Sequence, residues 1–246
     1  MPKKIEAPAI DLKDLVKIFR NVQKTRVAYL NNFSRYDNKQ IKQLYSIIIN
    51  VFSDIENELQ KYIKVKVKTH PLYENYLKHV KGIGKITAAQ LITMIGDIKR
   101  FPTVTKLWKY AGLGITNNKA DRLKRGNKSK FNPKFKGLMY IIGISFLRTN
   151  SQYITFYDLA RKRYQKKYPE WTKKHIYYAS LRYMEKMFLA HVFNAWCRIE
   201  GIPMKVPYPV EYLGRKKIIL PEDVVEGLKL PKSIWLKNSK GGIICL

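Results

Sequence analysis

The sequence predicts an all-α protein: a long helical hairpin or coiled coil, followed by a helical domain and an irregular C-terminal tail. Apolar residues recur every three or four positions through most of the first 200 residues, which is the period of amphipathic helices. Hydrophobic residues make up 46% of the 246-residue chain, enough to bury a core. The tail contains five prolines that interrupt every candidate helix: Pro203, Pro207, Pro209, Pro221 and Pro231.

Two long helices are predicted at the start of the chain, over residues 11–36 and 38–67, with Asp11 and Asp37 as their N-caps. The second helix has an apolar position every three or four residues, namely Ile41, Leu44, Tyr45, Ile48, Phe52, Ile55, Leu59 and Tyr62. This rhythm is typical of a coiled-coil seam, which would make a homodimer through residues 38–67. It fits an intramolecular antiparallel hairpin equally well, and both interpretations stay open.

Shorter helices are predicted beyond Pro71, which ends the second long helix. Their expected ranges are 72–80, 85–95, 103–111, 133–149, 151–168 and 172–200. Pro133 suits the first turn of its helix, and Thr172 suits an N-cap. Residues 114–132 hold few apolar side chains and are expected to form an exposed loop. The predicted domains are 1–69, 70–201 and 202–246, and the last of these either carries a short strand over 216–220 or extends to a partner.

The charge of the chain predicts a polyanionic partner. Lys and Arg number 48 against 18 Asp and Glu, which gives a formal net charge of +30. A surface so one-sided repels itself unless a polyanion neutralises it, so nucleic acid is the expected partner, with DNA favoured over RNA. No apolar run is long enough to span a membrane, and no signal peptide is recognisable. We therefore expect an intracellular protein, in the cytoplasm and at the nucleoid.

A Gly-x-Gly turn at Gly82 and Gly84 separates two predicted helices. Such a turn lets the backbone amides at the start of the next helix point outward, where they can hold a phosphate oxygen. The pattern is that of a helix-hairpin-helix, and the flanking Lys81 and Lys85 favour phosphate binding over an ordinary helix corner. The residues predicted to bind DNA here are Lys81, Gly82, Gly84, Lys85 and Thr87.

Two basic clusters extend the predicted interface. The first, over residues 119–136, carries eight cations against one acid and would contact phosphates. Its predicted DNA-binding residues are Lys119, Arg122, Lys124, Arg125, Lys128, Ser129, Lys130, Lys134 and Lys136. The second cluster adds Arg161, Arg163, Lys166 and Lys167. Four aromatic residues are interleaved with it, either to stack on unpaired bases or to form the buried side of a helix: Tyr157, Tyr164, Tyr168 and Trp171.

The sequence predicts no catalytic residue, no metal site and no cofactor. Two-metal chemistry needs converging carboxylates, whereas the acids of this chain are scattered singly. The four histidines have no ligand spacing, and the two cysteines cannot form a zinc site or a disulfide framework on their own. Ser129 lies among cations but has no neighbouring base to activate its hydroxyl.

Three motifs follow one another at a distinctive spacing: Val80-Lys81-Gly82-Ile83-Gly84-Lys85-Ile86-Thr87-Ala88-Ala89, Ile95-Gly96-Asp97-Ile98-Lys99-Arg100-Phe101-Pro102 and Leu107-Trp108-Lys109-Tyr110-Ala111-Gly112-Leu113. Together with Ser129-Lys130-Phe131-Asn132-Pro133, Met139-Tyr140 and Phe156-Tyr157, they resemble the C-terminal domain of insertion-sequence transposases of the one-ten/one-sixteen family. The resemblance extends over about residues 11–200. It implies a DNA-binding protein of a prokaryote or its mobile elements, with a role in transposition and DNA recombination.

Two departures from the family bear on activity. The family joins this domain to an N-terminal RuvC-like DEDD nuclease domain, and this sequence has no counterpart of those acids. The family also places a serine nucleophile after Tyr-Ala-Gly-Leu, where this chain reads Gly114-Ile115-Thr116-Asn117-Asn118-Lys119-Ala120-Asp121. We therefore expect a transposase-derived DNA-binding protein without strand-transfer activity. The alternatives are an active transposase component whose carboxylates come from another chain, and an RNA-binding or nucleoid-type structural protein.

Overall fold

The structure is a computed structural model that describes residues 10–116, 119–123, 126–205, 218–236 and 243–245. Within these ranges the chain is predominantly α-helical, which confirms the predicted fold class. The helices are α1 (Leu12–Phe33), α2 (Lys39–Lys66), α3 (Pro71–Asn75), α4 (Lys85–Ile95), α5 (Val104–Tyr110), α6 (Pro133–Thr149), α7 (Ile154–Lys167) and α8 (Lys173–Ile199). Short 3-10 turns occupy Val67–Thr69, Leu77–His79, Ile98–Arg100 and Pro221–Asp223.

The strands are only two or three residues long. They are β1 (Ile115–Thr116), β2 (Lys119–Ala120), β3 (Met204–Lys205), β4 (Ile234–Leu236) and β5 (Ile243–Cys245). β1 pairs antiparallel with β2, so the predicted loop begins with a small hairpin. β4 pairs parallel with β3 and antiparallel with β5. The strand predicted over 216–220 is wrong in its described part, because residues 218–220 are irregular, while residues 216 and 217 lie outside the described ranges.

α1 and α2 form an antiparallel hairpin within one chain. Tyr29 packs edge-on against Tyr45 and stacks on Phe52, with ring centroids 5.6 and 6.0 Å apart. Nearer the core, Arg26 Nε donates a hydrogen bond to the buried Glu56 carboxylate at 2.5 Å. Of the two interpretations left open by the heptad rhythm, the structure has the intramolecular hairpin. The hairpin packs on the core only at the end formed by the start of α1 and the end of α2, because no residue from 20 to 55 is buried.

Capping side chains set the starts of α2 and α8, whereas Asp11, at the predicted cap position of α1, makes no side-chain capping hydrogen bond. Asn38, rather than the predicted Asp37, caps α2, because its Oδ1 accepts from the amides of Gln40 and Ile41 and the helix begins one residue later than expected. The predicted cap of α8 is confirmed, since Thr172 Oγ1 accepts from the amide of His175 at 3.2 Å.

A chain of buried hydrogen bonds crosses the core. Ile219 offers only a carbonyl oxygen, so His191 donates to it from Nε2 at 3.1 Å and accepts at Nδ1. Tyr153 is therefore the donor to Nδ1 at 2.8 Å, and its own oxygen accepts from Tyr76. Burial lowers the pKa of His191 to about 4, which keeps the ring neutral.

The described part of the C-terminal segment packs on α8. Its side chains Val225, Leu228 and Trp235 are buried in the same core. The buried guanidinium of Arg198, on α8, forms an ion pair with Glu222 and donates to the carbonyl oxygens of Leu230 and Pro231. A fourth partner is Asn194 on the preceding turn of α8. Arg198 thus binds three residues of the segment 222–231 to α8.

Candidate nucleic-acid interface

Gly82 lets the turn before α4 approach α6 closely. Its φ of +96° is a conformation that side chains disfavour, and a Cβ atom there would lie 2.8 Å from Thr149 Oγ1 and 3.0 Å from Phe146. Ser145 Oγ also donates to the Gly82 carbonyl at 2.7 Å. Gly84 differs, because its φ is −81° and the space around it is open. The conformational need for glycine is therefore at Gly82.

Part of the backbone of this turn is already used inside the protein. The amide of the exposed Lys81 donates to Gln152 Oε1 at 3.1 Å, and Gln152 Nε2 donates to the His79 carbonyl. The amides that remain available are in the first turn of α4, which no side chain caps. Lys85 and Thr87 lie on that turn and are half-buried. The segment before the turn is α3 plus a 3-10 turn instead of the single helix expected over 72–80, and the helix-hairpin-helix stays a prediction.

The basic segment 119–136 is anchored at its C-terminal end. Phe131 is buried against Gly112, whose φ is +70° and where a Cβ atom would lie 2.6 Å from the Phe131 ring. The Asn132 amide donates to the Tyr110 carbonyl at 2.8 Å. The exposed members of the predicted set are Arg122, Lys128, Ser129, Lys130 and Lys134. Lys124, Arg125 and the side chain of Lys119 lie outside what the structure describes.

Ser129 has a structural role in this segment. Its hydroxyl donates to the Phe131 carbonyl at 2.7 Å and accepts from the Phe131 amide at 3.2 Å. This is a local turn closed by a side chain, which fixes the hydroxyl proton on a backbone oxygen. The geometry is that of a folded turn, as opposed to an activated nucleophile.

The aromatic residues of the second cluster mostly contact one another. Tyr157 is buried in the core, so it cannot stack on a base. Trp171 lies between Tyr168 and His175, at 4.2 and 4.0 Å between ring centroids and within 8° of parallel. Both faces of the indole are covered, so Trp171 cannot stack on a base either, and the predicted base stacking is wrong for this residue. The four predicted cations of this cluster are exposed around the rings: Arg161, Arg163, Lys166 and Lys167.

A pocket of about 190 Å³ lies between α6, α8 and the basic segment, and the sequence analysis did not find it. Its lining residues are Leu113, Arg122, Lys136, Tyr140, Tyr178, Arg182 and Glu185. Three cations thus converge from three different elements. Lys136 Nζ also donates to the Asp121 carbonyl, and its ammonium lies 5.0 Å from the centre of the Phe131 ring.

Glu185 is the buried acid of this pocket. It is 5% exposed, and no hydrogen bond or ion pair to it exists among the described residues. Burial raises the pKa of Glu185 to about 8, against the opposing effect of Arg182 and Lys136. Burial also lowers the pKa values of Lys136 and Arg182. The sequence signal that could have located this pocket is the pair Arg182 and Glu185, three residues apart on an otherwise apolar face of the predicted helix.

We expect Glu185→Gln to make the protein more stable than wild type at alkaline pH. The folded-state pKa is raised from 4.5 to about 8, so the stability from the protonated acid is complete below pH 4.5 and is lost as pH rises to 8. Glutamine keeps the shape of the protonated acid. Urea unfolding should show similar stabilities at pH 5 and a gain of about 4 kcal/mol for the variant at pH 8.5. An equal difference at both pH values would contradict the buried neutral acid.

The structure brings two of the three predicted clusters together. Arg182 interacts electrostatically with Arg122 of the basic segment and with Tyr164 of α7, so the pocket joins the segment to the α7–α8 end. The Gly82 turn packs instead on Ser145 of α6. That residue is nine positions from Lys136, or about 14 Å along the helix at about 1.5 Å per residue. The turn and the pocket therefore lie at opposite ends of α6.

The part of the chain that contains the Gly82 turn and the basic segment is similar to known proteins. Residues 74–158 match the model of the transposase IS116/IS110/IS902 family. The matched residues make up about a third of the chain. The chain is also similar to an insertion element IS110 uncharacterized 43.6 kDa protein of Streptomyces coelicolor, with 30% identity over 107 residues. That alignment covers 43% of this chain and 26% of the relative, so the chain spans about a quarter of the relative's length.

The matched residues contain α4, α5, α6, the Gly82 turn and the basic segment, but only part of the pocket. Tyr178, Arg182 and Glu185 lie beyond its end, on α8. The two parts are held together at Trp108, whose Nε1 donates to the Lys186 carbonyl at 3.0 Å. Phe156, from the family-like Phe-Tyr pair, is buried in the core.

The described residues contain no group of three or more His, Cys, Asp or Glu side chains that could hold a metal ion. Across the same part of the chain, every helix is too short or too polar to cross a bilayer.

Proposed function

We propose that this chain is a transposase-derived nucleic-acid-binding protein, with DNA as the favoured ligand, that has no strand-transfer activity of its own. The observation that carries the proposal is the cationic pocket, where Arg122 of the basic segment, Lys136 of α6 and Arg182 of α8 meet beside the exposed cations of that segment. The transposase family of residues 74–158 supports the same ligand. We expect the protein to act in the cytoplasm, at the nucleoid.

Exposed lysine and arginine side chains suit phosphate contacts. Such contacts release counterions, so they make binding strong at low salt and weak at high salt, and they fix position without reading bases. The covered faces of Trp171 also favour backbone contact over stacking on unpaired bases. The Gly82 turn, with its uncapped first turn of α4, is proposed as a second contact to the backbone at the other end of α6.

Two observations support the absence of strand transfer. Ser129, the best-placed hydroxyl of the basic segment, donates to the Phe131 carbonyl. The stretch from Gly114 to Asp121, where the family has its serine, contains none. A nicking assay on supercoiled plasmid with magnesium or manganese should therefore show no cleavage. Metal-dependent nicking that survives repurification would favour an active transposase component.

A binding competition tests the proposed function. Labelled duplex DNA should bind the full chain more tightly than single-stranded DNA or structured RNA of equal length. All affinities should fall between 50 and 200 mM salt, by about 10³-fold or more if six or more phosphates are contacted. Preference for structured RNA would replace DNA as the ligand, and salt-independent binding would overturn the proposal.

Homodimerisation through residues 38–67 is proposed as well. An apolar stripe of α2 remains exposed beside α1, formed by Leu44, Ile47, Val51 and Ile55. Ile47→Asp should split a dimer without disturbing the hairpin, because this side chain is 54% exposed within one chain. The matched control is Asn57→Asp, which adds the same charge at an exposed position of α2 on another side of the helix from this stripe. Light scattering that shows a wild-type monomer at micromolar concentration would contradict the dimer.

A further inference from the structure

The cations of the pocket differ from the others on the surface because they converge. Arg122 comes from the basic segment, Lys136 from α6 and Arg182 from α8, and the last two are half-buried. Like charges held together out of water destabilise one another, and an anion between them relieves this cost. Burial lowers the pKa values of Lys136 and Arg182, and the neighbouring cations add to this effect.

The acids of the region leave most of this charge uncompensated. Glu185 lines the pocket but has neither a hydrogen bond nor an ion pair among the described residues, and its raised pKa leaves it mainly protonated at neutral pH. Asp121 is the other acid that acts on Lys136 and Arg182. Its carboxylate lies near Gly114, where a Cβ atom would be 2.5 Å from Oδ2. Three cations therefore face two acids, of which Glu185 is buried and neutral.

We propose that this pocket holds a single phosphate group of a bound nucleic-acid strand, a proposal that rests on the proposed function. The two guanidiniums can each offer a pair of parallel N–H donors to phosphate oxygens, and Lys136 adds a third cation. Protonated Glu185 adds a hydrogen-bond donor instead of a repelling charge. Tyr140 and Tyr178, each about two-fifths exposed, line the pocket beside them and would contact the adjoining sugar.

A recessed phosphate would set the register of the strand on the protein. The exposed lysines of the basic segment can slide along a uniform backbone, whereas a pocket that surrounds one phosphate admits only discrete positions. Because Arg182 lies outside the matched residues, the pocket also makes α8 part of the interface.

Arg182→Gln tests the pocket, with Arg35→Gln as the matched control in the exposed turn between α1 and α2. Binding of labelled duplex and single-stranded DNA to the full chain should weaken by about tenfold or more for Arg182→Gln, because a lost charged hydrogen bond costs that much. The control should change affinity by less than about threefold, as an exposed ion contact does. Lys136→Gln is the second pocket variant, and thermal melting identifies any variant that fails to fold. Equal effects of pocket and control variants would overturn the proposal.

Inorganic phosphate distinguishes a strand phosphate from a free one. At constant ionic strength, phosphate should raise the melting temperature of wild type more than chloride does, and Arg182→Gln should abolish the difference. If phosphate stabilises wild type while Arg182→Gln leaves DNA binding intact, the pocket takes a free anion and the proposal is wrong. If wild type binds no nucleic acid at all, the proposed function fails, and the melting arm still reports whether the pocket takes phosphate.

Discussion

Arg198→Ala is expected to destabilise the protein by about 3–5 kcal/mol, the largest loss of any single substitution considered. The guanidinium is buried, and its partners are the Glu222 carboxylate, two backbone carbonyls and the Asn194 side chain. Alanine would leave a carboxylate and two carbonyl oxygens without their donor. The segment that holds the buried Trp235 would then separate from α8.

Urea unfolding measures this loss, and Arg148→Ala is the matched control. Arg148 lies in the last turn of α6 and is exposed, so its removal should cost less than about 1 kcal/mol. Limited proteolysis should cut the Arg198 variant first after residue 201. A stability equal to that of the control would show that the C-terminal segment does not depend on this arginine.

Gly82→Ala is expected to cost about 2–4 kcal/mol, whereas Gly84→Ala should cost less than about 1 kcal/mol. At Gly82 the methyl group meets Thr149 Oγ1 and Phe146, and the backbone has a positive φ. At Gly84 the φ is negative and no atom lies within 4 Å of the added carbon. Two glycines that look equivalent in the motif should therefore respond very differently.

Thermal melting of the two variants decides this prediction. The lower melting temperature should belong to Gly82→Ala, with Gly84→Ala close to wild type. The reverse order would place the strained turn at Gly84 and would contradict the contact between the turn and α6. DNA binding of Gly84→Ala then reports on the uncapped first turn of α4 without the complication of unfolding.

Local patterns predicted most helices well. α4 was predicted with both ends correct at Lys85 and Ile95, because a glycine stands immediately before and after it. The start of α2 was misplaced by one residue, since Asp37 and Asn38 are both good caps and only the backbone geometry decides between them. Periodicity also located the apolar face of α2, but it could not say that α1 covers part of that face.

Contacts between distant residues could not be predicted. The pocket joins Arg122, Lys136 and Arg182 across 60 residues of sequence, and no local pattern links them. In the sequence Glu185 is one of several isolated acids, because its burial depends on how α6 packs on α8. The stacking of Trp171 between Tyr168 and His175 likewise depends on how the chain turns between α7 and α8. The exposed lysines of the basic segment could be predicted from the sequence, because their exposure follows from local composition and does not depend on contacts between distant residues.

The salt dependence of duplex DNA binding tests the basic interface most directly. The triple variant Lys128→Gln, Lys130→Gln and Lys134→Gln removes three exposed cations of the basic segment, and its matched control removes Lys13, Lys17 and Lys24 from the exposed side of α1. A plot of log affinity against log salt should lose about 2–3 units of slope in the basic-segment variant, at about 0.9 per phosphate contact, and none in the control. An unchanged slope in the basic-segment variant, or an equal loss in both variants, would contradict a nucleic-acid interface at this surface.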